Sequence, residues 1–327
     1  MTPSRSAAER ARSLAETGDA TAAAAVLEHA GAAGDADALM QLAVWRLVGT
    51  PLPRDLTVAR ALLARAAAIG HVDAALMQVA LTANGSGAAA PDWRGALALL
   101  RVAAAGDPVA AAQLALVDAM TIDAAGRPVR APVGELLCDA PRVVRFRGFL
   151  SAAECAHVAG VAAPMLAPAR VIDPASGRWV THPVRTADDA AIGPANEDMV
   201  VRAINARIAA ASGTDIAAGE PLTVLRYRPG QQYRPHLDTM AGAANQRVMT
   251  MLLYLNAGYR GGDTHFPAPG LSVVPVPGDA LLFRNTLPDG RPDPLSRHAG
   301  QPVLAGTKWL ATRWIRAAPI DPWALSG

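Results

Sequence analysis

The chain is short of cysteine, of aromatic side chains and of charge imbalance, and each shortage narrows what it can be. Two cysteines, Cys138 and Cys155, occur in 327 residues. They lack metal-ligand spacing, and two free thiols in a reducing compartment are expected ahead of a lone disulfide. Aromatic residues make up 4% of the chain and hydrophobic residues 51%, much of it alanine. That balance points to helices packed through small side chains over part of the length. Thirty basic residues stand against 28 acidic ones, for a net charge of +2. With no dense Lys/Arg run, nothing suggests nucleic acid or an anionic membrane as partner. No apolar run approaches the roughly 20 residues that span a bilayer, and the polar start Met1-Thr-Pro-Ser-Arg shows no signal segment. A cytoplasmic chain with room for two domains is the default expectation.

What the chain does have, first, is a repeat with a period of 36 residues. Gly34-Asp35-Ala36, Gly70-His71-Val72 and Gly106-Asp107-Pro108 open successive units. Leu39-Met-Gln-Leu-Ala43 and Leu76-Met-Gln-Val-Ala80 agree as well, with one extra residue placed before the second match. Gly49 and Gly85 fall at one phase, between the two helices of a unit. A helix pair of fixed period buries its apolar face only by stacking on its neighbours. Residues 6 to 120 resemble the Sel-like branch of the tetratricopeptide repeats, which implies a protein-binding solenoid or a packing module.

From Thr121 to Pro141 helical periodicity stops among prolines and glycines, which reads as a linker. Val143–Phe146 is a plausible strand, and Ser151 with Glu154 opens a helix as a capping box. A second helix is predicted from Asn196 to Ala211. Beyond Pro221, short strands dominate: 222–227, 248–255, 280–283 and 309–315, separated by Gly and Pro turns. This pattern predicts a sandwich or jelly roll rather than a parallel sheet.

Within that region lies Arg234-Pro-His236-Leu-Asp238, with His298 sixty residues after Asp238 and Lys308 ten beyond. Two imidazoles and a carboxylate suit a facial site of the non-haem Fe(II) kind, although catalytic zinc takes similar ligands. His236 and Asp238 stand two apart in a β-rich stretch, so strand alternation points both the same way. The same rule puts Thr250, Leu252 and Tyr254 on one face of their strand, and Lys308, Leu310, Thr312 and Trp314 on one face of theirs. Pro302–Gly306 is expected to turn that last strand back as a hairpin partner of the segment after His298.

Six stretches in order resemble the prolyl 4-hydroxylase group of the Fe(II)/2-oxoglutarate-dependent dioxygenases. They are 222–230, Tyr233-Arg-Pro-His-Leu-Asp238, 247–255, Gly261-Gly-Asp-Thr-His-Phe-Pro267, Gly278-Asp-Ala-Leu-Leu-Phe283 and 306–315, with His298 between the last two. The resemblance implies a double-stranded β-helix with flanking helices. The resulting layout is multidomain α plus β: an α-solenoid at 1–120, a linker at 121–141, a dioxygenase domain at 142–318 and a tail at 319–327. It also implies that His236, Asp238 and His298 hold Fe(II), and that Lys308 pairs with the C5 carboxylate of 2-oxoglutarate. Thr250 and Tyr254 become candidate donors to that carboxylate, Tyr227 a neighbour of the cosubstrate, Trp314 a pocket wall and Arg185 a substrate contact. O2 is the oxidant, ascorbate a candidate reductant, and succinate and CO2 the coproducts.

The implied reaction is hydroxylation of an unactivated C–H bond, foremost in peptidyl proline, with the repeats recruiting a peptide or protein. Hydroxylation of a free amino acid or other small molecule is the alternative. A non-catalytic scaffold and a zinc hydrolase are rivals of other classes. Lys308 argues against both, since neither role needs a cation for a dicarboxylate. Asp263 replaces the family's usual Glu, and Asp188 and Asp189 follow Arg185-Thr186 where the family tends to Ser, which bears on the substrate rather than the reaction. The loop Arg178–Thr186 is expected to cover the substrate. His29, His71, His157 and His182 are read as structural, His265 as a turn residue and Trp309 as core.

Overall fold

The computed structural model describes residues 6–172, 179–181 and 184–324. It divides into two compact units, one built on the helices up to Arg127 together with residues 194–203, the other on the remaining described residues. The sequence reading had assigned 194–203 to the β-domain.

Seven helices fill the first unit before residue 120: α1 (Ala7–Glu16), α2 (Ala20–Ala32), α3 (Ala36–Val48), α4 (Leu56–Ala68), α5 (Val72–Asn84), α6 (Trp93–Ala104) and α7 (Pro108–Ala119). Each starts on a side chain that accepts the backbone N–H three residues on: Ser6, Asp19, Asp35, Asp55, His71, Asp92 and Asp107. Such a cap satisfies a donor the helix cannot, and its loss costs about 1 kcal/mol. The caps Asp35, His71 and Asp107 are the repeat seen in sequence.

Helices α3 and α5 are both 13 residues long and both close on a left-handed glycine, Gly49 at φ +87° and Gly85 at φ +79°. The period of 36 therefore holds through the helices, and the extra residue lies later than sequence matching placed it, in the loop from Gly85 to Asp92. The physical reason is burial. Ala38, Ala74 and Ala110, 36 residues apart, are fully buried, and these alanines set the helix phase rather than the Leu-Met-Gln triplets. Ala11, Ala23, Leu27 and Leu42 join Ala38 in one core cluster, the small-residue packing that the composition suggested.

The second unit contains β1 (Glu135–Cys138), β2 (Val143–Phe146), α8 (Ala152–Ala162), β3 (Ala167–Pro168), β4 (Arg170–Ile172), β5 (Trp179–Thr181) and β6 (Asp188–Ile192). After α9 (Met199–Ser212) come β7 (Leu222–Tyr227), β8 (Tyr233–His236), β9 (Arg247–Tyr254), β10 (Arg260–Gly261), β11 (Thr264–Phe266), β12 (Leu271–Val273) and β13 (Ala280–Arg284). The last strands are β14 (His298–Gly300), β15 (Val303–Ala305) and β16 (Lys308–Arg316). The major sheet has the order β1-β2-β13-β9-β16-β7-β6-β3, and the minor sheet β12-β11-β14-β8. Leu225, Leu252, Leu281, Phe283 and Leu310 of the major sheet share a core with Phe266 and Val273 of the minor sheet. Two sheets interdigitating through alternate residues make the sandwich core; the architecture is the jelly roll expected.

Two differences from the sequence reading are physical. Strand β1 lies in the stretch read as linker, because the surrounding Gly and Pro residues hid four extended residues that pair with β2. The hairpin expected at Pro302–Gly306 does not form: β15 pairs with β10, and β16 crosses to the major sheet between β7 and β9. Gly306, at φ +75°, makes that departure possible. The capping box at Ser151 is present, with Glu154 N–H donating to Ser151 Oγ at 3.2 Å and Ser151 N–H to Glu154 Oε2 at 2.8 Å. Both cysteines are free. Among the described residues no helix is long and apolar enough to cross a membrane.

Candidate active site

His236 ends β8 and His298 begins β14, and pairing of the two strands sets them opposite each other. Asp238 lies just past β8 in a bend, so the strand alternation assumed for it does not apply. The bend nevertheless brings its carboxylate between the rings. Asp238 Oδ1 is 3.4 Å from His236 Nε2, and Oδ2 is 3.8 Å from His298 Nε2. One ligand atom from each residue lies within 4.8 Å of the others, close enough to hold one metal ion.

The backbone sets the ring orientation. His236 Nδ1 is 2.8 Å from Arg234 O, and His298 Nδ1 is 3.0 Å from Ser296 O. A carbonyl only accepts, so Nδ1 carries the proton in both rings and each Nε2 presents a lone pair to the site. Tyr233 stacks on His236 at 3.4 Å between centroids, and Phe283 meets His298 edge-on at 4.6 Å. Burial lowers the His298 imidazole to about 4, only partly offset by Asp238, so this ring is neutral at physiological pH. For Asp238, burial would raise the carboxyl, but His298, His236 and a hydrogen bond from Thr250 hold it below the usual carboxylate range. Two imidazoles turned through Nε2 and an ionised carboxylate form a donor set matched to a divalent cation. His236 Nε2 is buried and makes no hydrogen bond; an orphaned acceptor aimed at a carboxylate fits a metal between them.

A cavity of about 420 Å³, its mouth included, opens beside this triad and is lined by Tyr227, Tyr233, Thr264, Lys308, Thr312 and Trp314 along with the triad itself. Lys308, Leu310, Thr312 and Trp314 all line it, as the alternation along β16 predicted. Lys308 is 2% exposed. It donates one hydrogen bond, to Gly262 O at 2.5 Å, and stands 5.7 Å from the ring centres of Tyr227 and Tyr254. An ammonium has three donors, which leaves two for an anionic ligand. Burial lowers it to about 8, against the raising influence of Asp263.

Thr250 is engaged elsewhere than expected. Its hydroxyl donates to Asp238 Oδ2 at 2.6 Å and accepts from Asn285 Nδ2 at 2.9 Å. A threonine has a single O–H, so none remains for a cosubstrate carboxylate. Tyr254 OH pairs with Thr264 Oγ1 at 2.9 Å, and it is Thr264 that faces the cavity. Arg185 is buried in an ion pair with Asp189, its guanidinium 5.8 Å from the Tyr233 ring centre. Asp188 pairs with Arg226 and Arg228, so the two aspartates that follow Arg185-Thr186 both have basic partners. Trp314 is covered by the Arg247 guanidinium, 4.0 Å above its ring. Trp309 is half-buried on the outer face beneath Arg226, not in the core. His265 lies in β11 rather than a turn and hydrogen-bonds Ser272 at 2.8 Å. Much of the loop expected to cover the substrate, including Arg178, His182 and Pro183, lies outside the described residues. Sequence reasoning missed Asn285, which follows β13 without any motif, and Tyr233, whose place in the Tyr233–Asp238 stretch could have found it.

Residues 222–316 match the model of the 2OG-Fe(II) oxygenase superfamily. Prolyl 4-hydroxylase 1 of Arabidopsis thaliana is 38% identical over 201 residues, covering 56% of this chain and 71% of that protein. The solved viral collagen prolyl hydroxylase of Paramecium Bursaria Chlorella virus-1, a 2OG complex, is 27% identical with a TM-score of 0.45, over 56% of this chain and 99% of that one. A Sel1 repeat protein of Oxalobacter formigenes aligns over 33% of this chain and 85% of its own, at 26% identity and a TM-score of 0.30. With a triad suited to iron, a buried lysine in the adjoining cavity and a relative of this identity matched over most of its length, the chain belongs to the prolyl 4-hydroxylase family of Fe(II)/2-oxoglutarate-dependent dioxygenases.

Proposed function

We propose that the chain hydroxylates proline in a peptide or protein, using iron held by His236 Nε2, Asp238 Oδ1 and His298 Nε2. The observation that carries this reading is the convergence of two oriented Nε2 lone pairs and a buried carboxylate beside a cavity that contains a buried ammonium. When bound, iron with 2-oxoglutarate and O2 supplies the oxidising power to hydroxylate an unactivated C–H bond, with succinate and CO2 as coproducts. The chain's own residues then have distinct tasks. The carbonyls of Arg234 and Ser296 hold both imidazoles in the ligating tautomer. Lys308 binds the far carboxylate of the cosubstrate and so orients its 2-oxo acid end towards the triad. Desolvating that ion pair is costly unless further donors serve the carboxylate, and Thr264 rather than Thr250 is in position to help, with Tyr254 behind it and Tyr227 alongside.

Trp314 walls the cavity, and Arg185 contacts the substrate near Tyr233. Residues 142–318 act as the catalytic domain, 121–141 as a linker and the repeats at 1–120 as the recruiting module. A cytoplasmic location and ascorbate as reductant complete the reading. The test is anaerobic loading with Fe(II), followed by succinate release in air with and without proline-rich peptides. Succinate that rises with peptide, together with a product heavier by one oxygen atom, supports peptidyl hydroxylation. Succinate indifferent to every peptide sends the search to free amino acids and other small molecules.

A further inference from the structure

Asp238 has two carboxylate oxygens, and only one is needed as a ligand. Oδ2 accepts the Thr250 hydroxyl at 2.6 Å, and Thr250 Oγ1 in turn accepts from Asn285 Nδ2 at 2.9 Å. The direction of this chain is forced. An ionised carboxylate has no proton to give, so Thr250 must donate to it, and its lone pairs are then open to an amide N–H. Asn285 must accordingly present its NH2, not its carbonyl, to Thr250. All three residues are buried, Thr250 and Asn285 completely. Asn285 is itself pinned by its backbone, which donates to Val248 O at 2.9 Å and accepts from Asp293 N at 2.9 Å.

We infer that Asn285 and Thr250 are positioning residues that occupy Oδ2 and thereby select Oδ1 of Asp238 as the single metal-binding oxygen. The inference rests on the metal site proposed above. Oδ1 is the oxygen nearer the orphaned His236 Nε2, at 3.4 Å. With Oδ2 engaged, the carboxylate plane cannot swing to chelate through both oxygens, which would take up a coordination position that a cosubstrate needs. In a chain of hydrogen bonds ending on an anion each link polarises the next, so Asn285 acts on the carboxylate through Thr250 although it does not touch it. Outer partners of metal ligands commonly influence affinity by 10- to 100-fold.

The test is anaerobic titration of the full-length chain with Co(II), followed by visible absorption and calorimetry, with His236→Ala as the site control. Thr250→Val is nearly isosteric and keeps the fold, so the expectation is affinity weakened by about 10- to 100-fold and an altered d–d spectrum, with Thr250→Ser restoring both. Asn285→Ala should weaken binding less, and should add nothing in the Thr250→Val background. Wild-type affinity and spectrum in Thr250→Val would overturn the inference, as would a full additional loss from Asn285→Ala in that background. If wild type and His236→Ala bind Co(II) alike, the metal site itself is wrong and the relay falls with it.

Discussion

His236 and His298 stand directly opposite each other on β8 and β14, with 4.3 Å between ring centres. Each ring's Nδ1 bonds the carbonyl two residues upstream. One local backbone device, used twice on paired strands, therefore turns the Nε2 edge of both rings towards Asp238, with the ring planes tilted by 55°. The failure modes of this arrangement can be separated by mutation.

His236→Ala removes a half-buried ring at the cavity mouth while leaving both sheets intact. Metal affinity should fall by more than about 100-fold, beyond the range typical of outer-partner losses. Succinate formation should disappear, with the thermal midpoint of the metal-free chain nearly unchanged. Anaerobic calorimetry beside a melt separates ligand loss from unfolding; retained turnover would remove His236 from the site.

Lys308 gives a pH prediction with two opposite signs. Burial brings it to about 8, below the ordinary lysine value of 10.5, so between these limits the folded state binds fewer protons than the unfolded one. Stability of the metal-free chain from this group is then lowest below pH 8 and rises as pH climbs towards 10.5. Binding of 2-oxoglutarate needs the ammonium, so its apparent affinity should instead fall above pH 8. Lys308→Ala should weaken that affinity and abolish its pH dependence. A flat affinity profile in the wild type would dismiss the assigned role.

Gly262 sits at φ +75°, and a Cβ there would lie 3.0 Å from Lys308 Cδ. Gly262→Ala should cost roughly 1–2 kcal/mol of stability from the left-handed backbone alone. It should also raise the KM for 2-oxoglutarate by displacing the lysine stem. Denaturant unfolding and KM measured on the same variant test both halves; a normal KM would mean the stem accommodates the methyl.

Glu220 is a buried carboxylate bound by Arg247 through both oxygens at 2.7 Å and also by Arg316. Glu220→Ala leaves two guanidiniums without their anion and should destabilise the fold by about 3–5 kcal/mol. Because Arg247 also covers Trp314, cavity-dependent tryptophan fluorescence should shift. A variant with wild-type urea resistance would contradict this account.

The parts of the site legible in sequence were those governed by local periodicity or short range. Strand alternation placed Lys308 with Trp314 along β16 and Thr250 with Tyr254 along β9, but that Trp314 and Thr250 are cross-strand neighbours depends on a register that alternation does not give. The capping box at Ser151 and the glycines that end α3 and α5 were visible because each rests on a few adjacent residues. What stayed hidden depends on partners remote in sequence. Thr250 was read as a cosubstrate donor because its face was known but Asp238, twelve residues away, was placed on a strand instead of in a bend. Asn285 could not be found at all, since only the β13–β9 register brings it to Thr250. The direction of β16 was misjudged for a similar reason. A Pro–Gly segment signals a turn but does not say to which sheet the chain returns.

The contacts Thr250–Asp238 and Tyr254–Thr264 both run from β9 in the major sheet to the minor sheet or the bend that follows it. They are polar rivets inside an otherwise oily interlayer. Apolar side chains set only a minimum separation between layers and tolerate some slack, whereas a hydrogen bond has a length. The gauge of the cavity is thus fixed by two hydroxyls rather than by the volume of the leucines around them. Evolution can therefore exchange those leucines, and trade away stability in doing so, without changing the distance across which the reaction must take place.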